Sequence, residues 1–103
     1  MAVSLLTLYS RDGCCLCEGL EHLLRSLPLN DLSPPLELRV INIDSAKTPE
    51  NVRARYDLKV PVMLLELIES GQCFELPRVS PRLNKEGLFQ WLQKFLSKIC
   101  LSD

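Results

Sequence analysis

The stretch "GCCLCEGLEHLL" (residues 13–24) sets three cysteines within four positions and then continues as an apolar repeat. Leucines follow at intervals of three and four residues, a spacing that predicts one face of an α-helix. The leucines of this face are Leu16, Leu20, Leu23, Leu24 and Leu27. Pro28 is expected to end the helix. The preceding segment "VSLLTLY" (3–9) is short and apolar, which predicts a buried strand. The cysteines are therefore expected where a strand ends and a helix begins.

The middle of the chain contains signals for a loop, a strand and a second helix. "LNDLSPP" (29–35) is rich in turn-forming residues and predicts a surface loop. "LELRVINI" (36–43) begins with alternating apolar and polar residues, which predicts the second strand. "KTPENVRARYDL" (47–58) predicts a short helix, with Thr48 as its N-cap and Pro49 at its first helical position.

The second half of the chain completes an α/β fold. "VPVMLLELIE" (60–69) predicts a third strand led by Pro61, and Gly71 turns it back into a fourth strand, "CFEL" (73–76). A last helix is predicted from the spacing of Leu88, Leu92, Phe95, Leu96 and Ile99. The expected order is β-α-β-α-β-β-α, with a mixed four-stranded sheet flanked by helices in a single domain of residues 1–103.

Composition narrows the class of protein. The chain has 103 residues, a formal net charge of -1 and scattered Lys and Arg, so nucleic acid is an unfavourable partner. No apolar run reaches the roughly 20 residues that span a bilayer, and the N-terminus lacks the pattern of a signal peptide. The five cysteines are odd in number and three are crowded together, which disfavours a secreted disulfide scaffold. We expect a cytoplasmic monomer whose cysteines have a chemical role.

The spacing of the cysteines predicts which of them react. Residues three apart on a helix share a face, so the Cα atoms of Cys14 and Cys17 should lie about 5 Å apart, within reach of a disulfide. Cys15 is turned away by about 100° around the helix. The electropositive start of the helix favours a thiolate at Cys14, with Cys17 as the more enclosed, resolving thiol. Arg11 adds a positive charge nearby, and Asp12 opposes it.

"LYSRDGCCLCEGLEHLL" (8–24), followed by "YDLKVPVMLL" (56–65), resembles the glutaredoxin branch of the thioredoxin-fold proteins. Within that branch the chain is most similar to small glutaredoxin-like proteins with a Cys-x-Leu-Cys motif. The resemblance implies a thiol-disulfide oxidoreductase in which Cys14 is the nucleophile and Cys17 the resolving cysteine. It places Arg11 where the family has a basic residue, and Val60 with Pro61 at the cis-proline motif.

The resemblance also implies how substrates bind. A cis bond before Pro61 would turn the polar groups of Val60 towards a bound peptide or glutathione. We therefore expect Arg11, Val60 and Pro61 to bind substrate, with no bound cofactor and with glutathione or disulfide-containing proteins as partners. The chain lacks the Gly-Gly and acidic residue with which typical glutaredoxins hold glutathione, and has "LPRVSPRLNKEG" (76–87) there instead. Arg78 and Arg82 are then the candidates for gripping a glutathione carboxylate.

The remaining cysteines and the histidine leave alternatives open. Cys15 is either a spare surface thiol or an accessory reactive one. Cys73 and Cys100 are interpreted as small apolar residues, and His22 as a residue of the helix surface. The rival function is a metal-binding module that uses Cys14, Cys15, Cys17 and His22 as ligands. A further alternative is an iron-sulfur cluster bridged between two chains by Cys14 and glutathione.

Overall fold

The structure is a computed structural model that describes residues 4–32, 34–79 and 82–101, with side chains described as far as Ile99. Its elements follow the predicted order of strands and helices. They are β1 (Ser4–Ser10), α1 (Cys15–Ser26), β2 (Leu36–Asn42), α2 (Glu50–Tyr56), β3 (Val62–Glu66), β4 (Cys73–Glu75) and α3 (Lys85–Leu101). None of the helices described is long and apolar enough to cross a membrane.

The four strands form one mixed sheet in the order β2-β1-β3-β4. β1 and β2 are parallel, with Ser10 opposite Asn42, whereas β3 is antiparallel to both β1 and β4. Tyr9 near the end of β1 is opposite Val62 at the start of β3. The carboxyl ends of β1 and β2 and the amino end of β3 therefore meet at one edge of the sheet. The cysteine segment and the Val60-Pro61 segment are neighbours for this reason.

Apolar residues cover both faces of the sheet. Leu6 and Leu8 of β1 are fully buried in one cluster with Leu24 of α1 and with Leu88 and Leu92 of α3. Because side chains alternate along a strand, Tyr9 points to the other face. There it stacks on Tyr56 of α2 with ring centroids 4.6 Å apart, next to buried Ile43. Helices α1 and α3 thus cover one face and α2 the other, as the predicted architecture requires.

The start of α2 corrects the prediction made from its sequence. Pro49 is the N-cap of α2, in an extended conformation with φ -59° and ψ 146°, and the helix begins at Glu50. The Thr48 hydroxyl does not cap the helix, because it is buried and donates instead to the backbone oxygen of Asn42 at 2.7 Å. A tertiary hydrogen bond to the end of β2 thus replaces the expected local cap.

The loop and the hairpin contain further differences. The predicted loop at 29–35 includes a short 3-10 helix, Leu29–Asp31, because Leu29 and Leu32 are buried in the core. The third strand is shorter than predicted, and residues 67–72 form the turn of the hairpin. In that turn Gly71 has a positive φ of 73° and its N–H donates to the backbone oxygen of Leu67 at 2.8 Å.

Candidate functional site

Cys14 and Cys17 are joined by a disulfide at the start of α1, and their Cα atoms are 5.2 Å apart. This confirms the pairing distance predicted from helical spacing. Gly13 precedes the pair with a φ of 77°, in the left-handed region that favours glycine. The chain thus makes its turn from strand to helix at Gly13 and leaves Cys14 at the helix terminus.

Cys14 is the N-cap of α1. It has an extended backbone, with φ -91° and ψ 103°, and its Sγ accepts a hydrogen bond from the N–H of Cys17 at 3.2 Å. Its backbone oxygen accepts the first helical hydrogen bond, from Glu18 N–H at 3.0 Å. The sulfur occupies the position of a capping serine or aspartate oxygen, where backbone N–H groups stabilise negative charge.

The two bonded sulfurs differ in their access to solvent. Cys17 is only 1% exposed and packs inside the protein, whereas Cys14 is half-buried. Cys15, the first residue of α1, is exposed and its thiol is free. An incoming reagent can therefore reach Cys14 more readily than Cys17.

The Val60-Pro61 peptide bond is cis, as the family resemblance implies. Both backbone polar groups of Val60 have partners within the chain. Its N–H donates to the Tyr56 oxygen at 3.3 Å, and its C=O accepts from Arg78 Nη2 at 3.4 Å. The Arg78 side chain thus occupies one of the two acceptor positions of this carbonyl.

Arg11 forms an ion-pair network that sequence analysis missed. Its Nε and Nη2 donate to the two carboxylate oxygens of Asp44 at 3.1 and 3.0 Å. Its Nη1 donates to the backbone oxygen of Asp57 at 2.7 Å and to the Asp57 carboxylate at 3.0 Å. Hydrogen bonds from Arg11 to Asp44 and then to Asp57 raise the pKa of the guanidinium. Asp12, the expected opponent of Arg11, instead accepts a hydrogen bond from the Asn42 amide at 3.0 Å.

Two grooves flank the cis proline, and both include Pro61 and Arg78 in their linings. The larger has a volume of about 390 Å³ and is lined by Cys15, Leu16 and Leu20, among other residues. The smaller, of about 270 Å³, includes Leu58 and Glu75. Leu16 is 54% exposed and Leu58 is 91% exposed, so each groove has an exposed apolar side chain in its lining. Such apolar surface around a reactive group is typical of a binding site for a macromolecule or ligand.

The remaining candidate residues from the sequence are Arg82, His22, Cys73 and Cys100. Arg82 is exposed, and His22 is exposed on α1 as predicted. The interpretation of Cys73 as an apolar packing residue is wrong, because Cys73 is exposed on β4 and its Sγ donates to Glu66 Oε1 at 3.6 Å. Desolvation of the thiol, followed by its hydrogen bond to Glu66, raises the pKa of Cys73. The side chain of Cys100 lies outside the part of the chain described.

The structure does not assemble the four ligands of the rival metal site. Among the residues described, no three His, Cys, Asp or Glu side chains lie together as a potential metal site. Cys14 and Cys17 are engaged with each other, and Cys15 points into the larger groove.

Comparisons with known proteins agree with this geometry. Residues 5–93 match the family described as Glutaredoxin-like domain (DUF836). No match was found among curated proteins. The fold is similar to a solution structure of a thioredoxin from Thermus thermophilus, with a TM-score of 0.63 and 16% identity over 93% of this chain and 75% of that one. It is also similar to the first thioredoxin domain of mouse protein disulfide-isomerase A4, with a TM-score of 0.54 and 17% identity over 88% of this chain and 61% of that one. The chain therefore belongs to the glutaredoxin-like domain family and has a thioredoxin-like fold.

Proposed function

We propose that this protein is a thiol-disulfide oxidoreductase that acts through Cys14 and Cys17. The observation that carries the proposal is the disulfide at the first turn of α1, with one half-buried and one fully buried sulfur. A redox-active pair needs one accessible sulfur that reacts with the substrate and one enclosed sulfur that then attacks the mixed disulfide.

Cys14 is the nucleophile of the reduced protein. When the disulfide is open, the N–H of Cys17 is placed to donate to the Cys14 thiolate, and the helix terminus adds its positive partial charge. Thiols in such positions have pKa values of about 3.5 to 7.5 instead of about 8.5. Cys14 would then be ionised near neutral pH, which is the condition for attack on a disulfide.

The reaction proceeds in two exchanges. The Cys14 thiolate attacks one sulfur of a substrate disulfide, forms a mixed disulfide and releases the other substrate sulfur as a thiolate. The Cys17 thiolate then attacks Cys14 Sγ and releases the second substrate thiolate. Two electrons pass to the substrate, which gains two thiols once its sulfurs are protonated, and the protein is left with the disulfide seen in the structure. A two-electron thiol reductant, either two glutathione molecules or a dithiol reductase, restores the starting state.

The grooves favour proteins that contain disulfides as substrates. Leu16 and Leu58 offer apolar contacts on both sides of Pro61, and such contacts suit side chains of a polypeptide better than they suit the charged glutathione molecule. Arg78 is the cation placed to meet a substrate carboxylate, whether from a protein or from glutathione. Glutathione remains a candidate co-substrate for the reset. The reducing cytoplasm is the compartment in which this cycle would run.

The proposal is tested by turnover assays with two substrates, insulin disulfides and a glutathione mixed disulfide. Cys14→Ser should abolish turnover of both substrates, because no nucleophile is left. Cys73→Ser is the matched control on an exposed thiol outside both grooves and should retain turnover. Retained activity in Cys14→Ser, or an inactive wild-type protein with both substrates, would reject the oxidoreductase.

An absorbance spectrum and a metal analysis of freshly purified protein decide the rival function. Visible absorbance, or metal in stoichiometric amount, together with absent turnover would favour a metal or iron-sulfur binding module. Turnover by colourless, metal-free protein favours the enzyme.

A further inference from the structure

The ion-pair network of Arg11, Asp44 and Asp57 joins three segments around the disulfide. Arg11 directly follows β1 and lies three residues before Cys14. Asp44 comes two residues after β2, and Asp57 directly follows α2 in the segment that leads to Val60. One side chain therefore connects the cysteine loop to the loop that carries the cis proline.

The geometry of this network fixes the orientation of the guanidinium group. Three nitrogens of Arg11 donate, two of them to separate oxygens of Asp44 and the third to both the backbone and the carboxylate of Asp57. Such a planar fork holds its partners in one arrangement. A lysine ammonium carries the same charge but cannot reproduce the set of bonds.

The charge of the network argues against an electrostatic role for Arg11. One guanidinium and two carboxylates have a combined charge of -1, and the raised pKa of Arg11 keeps the guanidinium protonated. The network as a whole therefore supplies no net positive charge to favour a Cys14 thiolate. The sequence-based expectation that Arg11 binds substrate or adds favourable charge does not account for these contacts.

Backbone hydrogen bonds extend the network to both functional loops. The Cys14 N–H donates to the Arg11 oxygen at 3.4 Å. In the segment after α2, the N–H groups of Lys59 and Val60 donate to the Tyr56 oxygen at 3.0 and 3.3 Å. Tyr56 directly precedes Asp57, whose backbone oxygen accepts a hydrogen bond from Arg11. A shift of Arg11 would therefore be passed to Cys14 and to Val60 together.

We propose that Arg11 is a positioning residue that holds the Cys14 loop and the Val60-Pro61 loop in the relative placement that disulfide exchange requires. This inference rests on the proposed function. Arg11 acts through the geometry of its bonds to Asp44 and Asp57, not through its charge.

The test compares Arg11→Lys, which keeps the charge and loses the fork, with Arg11→Met, which loses both. Two rates are measured: kcat/KM for insulin disulfides, and the rate of alkylation of reduced Cys14 by iodoacetamide over a range of pH. Iodoacetamide needs only the thiolate, whereas a protein disulfide must also contact the proline loop. Arg25→Lys is the matched control, because Arg25 Nε donates to Glu21 on α1 at 2.9 Å, outside the network.

We expect Arg11→Lys and Arg11→Met each to lower kcat/KM by about 10- to 100-fold, as loss of alignment does. Arg11→Lys should retain the wild-type rate and pH profile of alkylation, and Arg25→Lys should match wild type in both measurements. Wild-type kcat/KM in Arg11→Lys would overturn the proposal, and so would a loss of turnover matched by an equal loss of alkylation.

Asp57→Asn provides a second test, which does not depend on whether the Arg11 variants fold. Circular dichroism monitors the folding of the Arg11 variants. Asp57→Asn keeps the backbone bond to Arg11 and removes the carboxylate. It should lower kcat/KM less than Arg11→Lys does while leaving alkylation unchanged, and unchanged turnover would count against the network. If the wild-type protein reduced neither insulin nor the glutathione mixed disulfide, the proposed function would fail and the positioning role with it. If the wild-type protein is active and only the variants lose activity, the positioning role is distinguished from the proposed function.

Discussion

The backbone N–H of Cys17 points at the sulfur of Cys14 from 3.2 Å, within the first turn of α1. The two residues that exchange electrons in the proposed reaction are therefore also linked by a capping interaction. Because the donor belongs to the backbone, replacement of the Cys17 side chain leaves it in place. The activation of Cys14 and the resolving step by Cys17 can thus be separated by mutation.

Cys17→Ser is expected to stop the reaction at the mixed disulfide. Cys14 still attacks, since its helix terminus is intact, but its disulfide partner is gone, and the other described cysteines, Cys15 and Cys73, are not paired with it. Mass spectrometry of the variant after mixing with a disulfide peptide should show one peptide attached to Cys14. Cys15→Ser under the same conditions should release its peptide, because Cys14 and Cys17 remain. Rapid release from Cys17→Ser would assign the resolving role to another thiol, with Cys15 the first candidate.

Gly13→Ala should destabilise the protein by about 1 to 2 kcal/mol, because an alanine at a φ of 77° is sterically strained. Gly19→Ala is the matched control. Gly19 lies inside α1, and a methyl group there meets no atom within 4 Å. We expect this control to stabilise the protein by about 0.5 to 1 kcal/mol through helix propensity. Urea unfolding of both variants measures the difference, and equal stabilities would contradict the backbone assignment at Gly13.

Leu16→Ser is expected to impair turnover of insulin more than turnover of a glutathione mixed disulfide. Leu16 lines the larger groove and is 54% exposed, so its loss removes apolar contact with a protein substrate. Ile68→Ser removes a similar exposed side chain, 50% exposed, from the hairpin turn outside both grooves. That control should leave both activities unchanged. Equal losses with the two substrates, or an effect of Ile68→Ser as large as that of Leu16→Ser, would contradict substrate binding in the groove.

Leu24→Ala tests the core beneath the site. Leu24 of α1 is fully buried between the helix and the sheet, and its truncation should cost about 2 to 5 kcal/mol of unfolding free energy. Leu58→Ala, at a position 91% exposed, should change stability by less than about 0.5 kcal/mol. Thermal or urea denaturation gives both values. A stable Leu24→Ala protein would mean that α1 does not pack on the sheet as described.

Much of the fold could be predicted because its signals are local. The leucine spacing after the cysteines identified α1, and the distance between Cys14 and Cys17 followed from helix geometry. The Thr48 cap was wrong because a tertiary bond to Asn42 outweighed a local preference. Local patterns carry no information about such partners.

The network around Arg11 could not be read from neighbouring residues, since its carboxylates lie 33 and 46 residues away. One signal was present in the sequence. Asp44 follows the second predicted strand, and because β1 and β2 are parallel, it lies at the same edge of the sheet as Arg11. The contact of Arg78 with Val60 had no comparable signal, because it depends on the path of the segment after β4.

The pKa of Cys14 tests the central claim most directly. The protein for this measurement carries serine at Cys15, Cys17, Cys73 and Cys100, so that Cys14 is the one thiol left, and its rate of reaction with iodoacetamide is followed against pH. A chain that keeps only Cys73 is the reference, because desolvation and the hydrogen bond to Glu66 raise the pKa of that thiol. We predict that the pKa of Cys14 lies below the value of free cysteine and below that of Cys73. A Cys14 thiol that titrates at or above the free value would contradict an activated nucleophile at the start of α1.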